Sequence, residues 1–236
     1  MPKQNPIIAA LDIPNAEAAL KLANEIGPSV GAFKIGSELF TSAGPDFVRR
    51  IRGSGAAVFL DLKFHDIPNT VAKAVAAATR LDVQMLTIHA SGGSEMMRAA
   101  LESAQTAARD AGVTTPLLLG VTVLTSSNSQ TLGEIGCESD VPKQVERLAK
   151  LAVESGLRGL VCSPLEISLL RHVLAAEIQL VTPGIRTGAE KGDDQKRTLT
   201  AKEALAAGAS WLVIGRPIYA ASNPRAAVEA IQESLS

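Results

Sequence analysis

Ala57-Val-Phe-Leu-Asp-Leu-Lys-Phe-His-Asp-Ile-Pro-Asn-Thr-Val71 starts as an apolar strand, collects Asp61, Lys63 and Asp66 within six residues, and runs on into a helical pattern. That is more charge than a core strand carries. Side chains alternate between the faces of a strand, so Phe59, Asp61 and Lys63 are expected on one side and Val58, Leu60 and Leu62 on the other. Pro68-Asn69-Thr70 opens a helix whose Val71, Ala74, Val75, Ala78 and Leu81 share one stripe, which leaves Asp66 in the connecting loop. Charges at the C-terminal end of a strand, just ahead of a helix, occupy the position where parallel α/β proteins keep their chemistry.

The same strand-then-helix unit recurs along the chain. Apolar runs at 6–12, 31–35, 57–63, 85–89, 117–122, 159–162, 179–182 and 211–214 predict eight strands. Between them lie periodic segments such as Asn15–Ile26, Glu95–Ala111, Pro142–Glu154, Glu166–Ala175 and Ala201–Ala207. Eight βα units in 236 residues are the arithmetic of an α/β chain folded as one (β/α)8 TIM barrel domain, 1–236. A doubly wound open sheet would place Gly-x-Gly-x-x-Gly in the first βα turn, and this chain has none there.

Hydrophobic residues make up 46% of the chain, enough for a large core. A formal net charge of −1 and an aromatic content of 3% speak against nucleic acid, anionic membrane surfaces and base-stacking platforms. Cys137 and Cys162 stand alone, without CxxC or Cys/His spacing, which argues against a disulfide framework or structural zinc and suits a reducing compartment. The start Met-Pro-Lys-Gln-Asn fits no signal peptide, and no run approaches the ~18 apolar residues of a membrane span, so a cytoplasmic protein is expected.

Asp12 ends the first predicted strand, Lys34 lies in the second, Asp61 and Lys63 end the third, and Thr125 follows the fifth. All five are expected at one rim. A lone strand-end Asp commonly caps a helix, and a lone Lys commonly snorkels to solvent. Lys34, Asp61 and Lys63 together on inner faces require paired partners, so the set reads as an Asp-Lys-Asp-Lys network with Asp66 beside it. Carboxylates favour the charged form of a neighbouring lysine. That suits a proton donor and not a Schiff-base lysine, whose amine must be neutral. A metal is not expected, because the intervening lysine competes with a cation for the carboxylates.

His65 and His89 read as loop-supporting and packing side chains, and His172 as an exposed helix residue. Ser91-Gly92-Gly93 is a weak phosphate signal at a helix start. Thr187-Gly-Ala-Glu-Lys-Gly-Asp-Asp-Gln-Lys-Arg197 contains almost nothing to bury. Its position after the seventh strand, where this fold commonly holds phosphate, makes it a candidate lid. Arg186, Gln195, Gly215 and Arg216 form the candidate phosphate grip.

With Asp61-x-Lys63-x-x-Asp66-Ile-Pro-Asn-Thr70 in hand, the chain resembles the bacterial-type orotidine 5′-phosphate decarboxylase family. Further blocks stand in family order: Ala10-Leu-Asp12, Phe33-Lys-Ile-Gly36, Thr87-Ile-His-Ala90, Val121-Thr-Val-Leu-Thr-Ser126, Thr182-Pro-Gly-Ile-Arg186, Asp193-Asp-Gln-Lys-Arg197 and Val213-Ile-Gly-Arg-Pro-Ile218. The DxKxxD core alone is shared with a wider superfamily, but the Ile-Pro-Asn-Thr extension and the 193–197 motif make the match specific. Thr187 departs from the pattern, since many relatives carry Pro there, a residue that limits backbone freedom.

The resemblance implies a cofactor-independent and metal-independent carboxy-lyase that makes UMP, the final step of pyrimidine nucleotide synthesis. Lys63 would protonate C6 of the pyrimidine as carbon dioxide leaves, with Asp61 facing the departing carboxylate. Asp12 and Lys34 would hold the ribose hydroxyls, and Thr125 and the backbone at Pro183 the pyrimidine. Arg186, Gln195, Gly215 and Arg216 would bind phosphate or close over it. Asp66, with Ile67 and Thr70, would serve the site of a second subunit in a homodimer. The alternatives are a metal-requiring sugar-phosphate decarboxylase or epimerase on the same barrel, and a barrel that binds nucleotide phosphate without turnover.

Overall fold

The structure, a computed structural model, describes residues 5–186 and 199–235. Short apolar runs form β1 (Ile7–Ala10), β2 (Ala32–Gly36), β3 (Val58–Phe64), β4 (Met85–His89), β5 (Leu117–Val121), β6 (Gly159–Val161) and β7 (Gln179–Thr182). Two short strands, β8 (Ile185–Arg186) and β9 (Leu199–Thr200), precede β10 (Trp211–Ile214). In the order β1-β10-β7-β6-β5-β4-β3-β2 the eight longer strands close into a barrel, the expected (β/α)8 architecture. Strands β8 and β9 pair with each other in parallel, Ile185 beside Leu199 and Arg186 beside Thr200.

The helices outside the barrel are α1 (Ala16–Ile26), α2 (Ser37–Gly53), α3 (Pro68–Thr79), α4 (Gly93–Ala111), α5 (Ser129–Glu134), α6 (Val141–Glu154), α7 (Ile167–Val173), α8 (Ala201–Ala207), α9 (Arg216–Tyr219) and α10 (Pro224–Ser234). Their starts are written locally: Asn15, Asn128, Asp140 and Asn223 each accept a hydrogen bond from a first-turn amide, and Thr200 with Glu203 forms a capping box. Gly44 takes φ 69 ahead of Pro45 and divides α2 across a kink. Among the described residues no helix is long and apolar enough to cross a membrane.

Strand parity sorts the core into two layers. Ile8, Ala10, Phe59, Met85, Leu119, Val181 and Val213 fill the barrel interior, whereas Ile7, Ala9, Leu60, Leu86 and Ile88 point outward under the helices. Both faces are therefore dry, and the strands read as continuous apolar runs. Each fully buried Leu or Ile contributes roughly 1.5–3 kcal/mol.

A close backbone approach fixes the passage into β2. The Gly31 amide donates to the Ile7 carbonyl at 2.8 Å, and a Cβ on Gly31 would lie 2.1 Å from the Asn5 carbonyl oxygen. Backbone cannot yield as a side chain can. Gly31→Ala is expected to destabilise the fold by about 1–3 kcal/mol, measured by urea unfolding; an unchanged midpoint would show that the Asn5 segment simply moves aside.

Candidate active site

The third strand does not run straight to its end. Leu60 pairs with Leu86 and Phe64 with Ile88, so three residues of β3, Asp61 to Lys63, stand opposite the single residue Thr87 of β4. A bulge of this kind bends a strand and re-aims its side chains. Lys63 takes φ 50, in the left-handed region that residues bearing a Cβ seldom enter. Its amide donates to Thr87 Oγ1 at 2.8 Å, and the Thr87 hydroxyl donates to Asp61 Oδ1 at 3.0 Å. Lys63 Nζ in turn donates to both Asp61 carboxylate oxygens, at 2.8 and 2.9 Å. Alternation groups Asp61 with Lys63 in the sequence, but it is the bulge that brings them together.

On the adjoining strands Lys34 Nζ donates to Asp12 Oδ1 at 2.7 Å. Gly36 leaves room for that pair, since a Cβ there would sit 3.1 Å from Lys34 Nζ. The expected alternating network thus takes the form of two ion pairs, Asp12–Lys34 and Asp61–Lys63. Both line a cavity of about 380 Å³ at the barrel mouth, together with Thr125, Pro183, Gly215 and Arg216. Phe59, Val123, Val161 and Val213 supply apolar wall. One side of the cavity can bind charge while the other excludes water, the combination expected of a site that stabilises developing charge.

The remaining expectations divide. Arg186 lines a neighbouring cavity of about 420 Å³ with Thr200, Lys202 and Ile231, and Pro217 forms a wall common to both cavities. Gln195 and Thr187, and with them the candidate lid, lie outside the described residues. Asp66, Ile67 and Thr70 are exposed and line no part of this chain's own cavity. The Asp66 carboxylate accepts from the Ile67 amide at 2.6 Å, while the Ile67 side chain remains 66% exposed.

Thr87 and Tyr219 are the residues that sequence reasoning did not assign. Tyr219 lines the cavity, and a Cβ on Gly215 would lie 3.5 Å from its ring. Thr87 carried a signal: it is a hydroxyl between the apolar Leu86 and Ile88, two residues on from Met85 and so on the same interior face. Cys162 also lines the cavity, but burial first, and Glu166 second, push its thiol up to about 12. It is apolar wall and not a nucleophile.

His65 and His89 lie beside the bulge with ring centroids 5.4 Å apart and planes at 35°. His65 also packs on the loop after β4, where a Cβ on Gly92 would meet its ring at 3.3 Å. Burial is the main cause holding His89 below its ordinary 6.5; the charges of His65 and Lys63 push the same way, and Asp61 opposes them. His89 is accordingly a neutral imidazole near pH 7, in keeping with the packing role expected for it. Among the described residues no group of three or more His, Cys, Asp or Glu is arranged to hold a metal ion.

The pattern of the "Orotidine 5'-phosphate decarboxylase / HUMPS family" matches residues 5–231. The chain belongs to that family. It is 50% identical over 231 residues to the orotidine 5′-phosphate decarboxylase of Dichelobacter nodosus, covering 98% of this chain and 99% of the relative. It is 48% identical over 233 residues to that of Pseudomonas syringae, covering 99% and 98%. The crystal structure of orotidine 5′-phosphate decarboxylase from Lactobacillus acidophilus superposes with a TM-score of 0.87 at 40% identity, covering 98% of this chain and 99% of that one. The solved barrel of the Pyrococcus horikoshii enzyme is similar at a TM-score of 0.78 and 26% identity, with coverage of 97% and 98%.

The depressed protonation of His89 sets a pH dependence. The folded state binds this proton less readily than the unfolded chain, so stability is intact above about pH 6.5 and is lost as pH falls through that value toward the folded-state pKa. Between about pH 7 and pH 5, the thermal midpoint of the wild type is expected to drop more than that of His89→Gln. Parallel curves would remove His89 as the group responsible.

Proposed function

We propose that this chain converts orotidine 5′-phosphate to UMP and carbon dioxide without a cofactor, with Lys63 as the proton donor. Family membership supports a decarboxylase acting in pyrimidine biosynthesis. One observation carries the assignment of roles: Lys63 Nζ donates to both oxygens of Asp61 in a cavity that Arg216 also lines.

The reacting bond joins C6 of the pyrimidine to its carboxylate. As it breaks, carbon dioxide departs and the bonding electron pair remains on C6. The Lys63 ammonium transfers one proton to that carbon, so the anion is quenched where it forms. Asp61 lies next to the leaving carboxylate and keeps the ammonium aimed at C6. Apolar wall from Phe59, Val123 and Val213 excludes water that would otherwise screen these charges. Asp12 and Lys34 bind the ribose hydroxyls, Thr125 and Pro183 border the base, and Gly215 and Arg216 receive the phosphate. Arg186 and Gln195 complete the phosphate grip. Binding energy from that remote group orients the reacting end.

Asp66, Ile67 and Thr70 complete the site of a second copy in a homodimer. Their exposure, and their position outside this chain's own cavity, support that reading. An aliphatic side chain left 66% exposed beside a strand-end loop is one that gains by being covered.

Loss of the orotate absorbance by EDTA-treated protein is the direct test of turnover. Decarboxylation without added metal is expected, and Lys63→Ala is expected to lower kcat by at least about 10⁴-fold while UMP still binds. No turnover, or turnover only with a divalent cation and acyclic sugar phosphates, would favour the metal-dependent relatives on this barrel. Mixing inactive Lys63→Ala and Asp66→Ala proteins is expected to restore activity through heterodimers carrying one intact site. Subunit exchange without recovered turnover would refute the shared site.

A further inference from the structure

We propose that Thr87 is a positioning residue for the decarboxylation: its hydroxyl ties the backbone of Lys63 to the carboxylate that holds the tip of the same lysine. This rests on the roles given above to Lys63 and Asp61.

The contacts form a closed ring. The Lys63 amide donates to Thr87 Oγ1 at 2.8 Å, the Thr87 hydroxyl donates to Asp61 Oδ1 at 3.0 Å, and Lys63 Nζ donates back to Asp61 Oδ1 at 2.8 Å. Its polarity has no freedom. An amide N–H only donates and a carboxylate only accepts, so the hydroxyl between them must accept from one and donate to the other. A lysine side chain otherwise carries several rotatable bonds. Here both its root and its tip are fixed through one hydroxyl and one carboxylate.

Three further features point to Thr and not merely to any side chain. The bulge sets three residues of β3 against Thr87 alone, so the Lys63 amide is met by this side chain where a ladder carbonyl would stand in a regular pair. Thr87 is fully buried, so its hydroxyl is out of reach of bulk water. A β-branched residue is stiff about χ1, which holds the hydroxyl in one direction. Thr87 does not line the cavity itself, so it acts through Lys63 and Asp61 and not on the substrate.

Thr87→Val keeps shape and removes the hydroxyl, whereas Thr87→Ser keeps the hydroxyl. For Thr87→Val, kcat is expected to fall about 10- to 100-fold with KM and UMP affinity within about threefold of wild type. Thr87→Ser is expected to retain kcat within about threefold. Should the Val protein fail to accumulate, Thr87→Ala and Thr87→Ser lose the same methyl and differ in the hydroxyl, and Ser is expected to turn over at least about tenfold faster. Hydrogen exchange of the Lys63 amide, read without substrate, is expected to quicken in the Val protein and not in the Ser protein. A Val protein with wild-type kcat, a Ser protein as slow as Val or Ala, or an unchanged Lys63 exchange rate would each overturn the proposal. Wild type and Lys63→Ala in the same assay separate the outcomes: an inactive wild type or an active Lys63→Ala refutes the proton-donor assignment, and amide exchange still decides the role of Thr87.

Discussion

Lys63 and Asp61 form an ion pair partly withdrawn from water, and an opposed pair of charges in such a place stays only if each is fully supplied with partners. The side chains are 35% and 13% exposed, so both have given up much of their hydration. Desolvation commonly costs more than the mutual attraction returns. Here Asp61 accepts from Thr87 as well as from Lys63, and Lys63 engages both carboxylate oxygens. The left-handed backbone at Lys63 adds a further cost of about 1–2 kcal/mol. A site can carry such strain only where its surroundings over-determine it.

The barrel supplies that rigidity. Strands β2 and β4 flank β3 in parallel register, and residues such as Leu60, Leu86 and Ile88, all fully buried, lock the outer face of the sheet beneath α3 and α4. Regular pairing stops at Leu60 and resumes at Phe64, so the irregularity is confined to the residues that carry the charges. The same arrangement explains the neighbouring histidines. Burial first, and the neighbouring charges of His65 and Lys63 after it, hold half-buried His89 in its neutral form, with the His65 ring tilted against it.

Charge is distributed unevenly around the cavity. Two Asp–Lys pairs from β1, β2 and β3 sit on adjoining strands, Arg216 follows β10, and valines from other strands fill the wall between. On the proposed reading the pairs meet the ribose and the reacting carbon while Arg216 meets the phosphate, so binding and chemistry occupy different strand ends of one rigid body. Arg186 lines the adjacent cavity, with Pro217 as the wall between the two.

The sequence by itself determined the eight barrel strands, though not the short β8–β9 pair, and the rim residues Asp12, Lys34, Asp61, Lys63 and Thr125 with Arg216 as a phosphate candidate, because periodicity and the polarity of strand ends are local properties. Family motifs such as Asp61-x-Lys63-x-x-Asp66-Ile-Pro-Asn-Thr70 added the chemistry. What escaped it depends on pairs of distant segments. The bulge opposite Thr87 is a mismatch between β3 and β4, and nothing within β3 announces that three of its residues will share one partner. The role of the Thr87 hydroxyl, the tilted contact of His65 with His89 and the placing of Arg186 in a second cavity exist only once those segments meet. Tertiary structure decided them because a hydrogen bond between strands requires a register, and register is set by packing of the whole barrel and not by either strand alone.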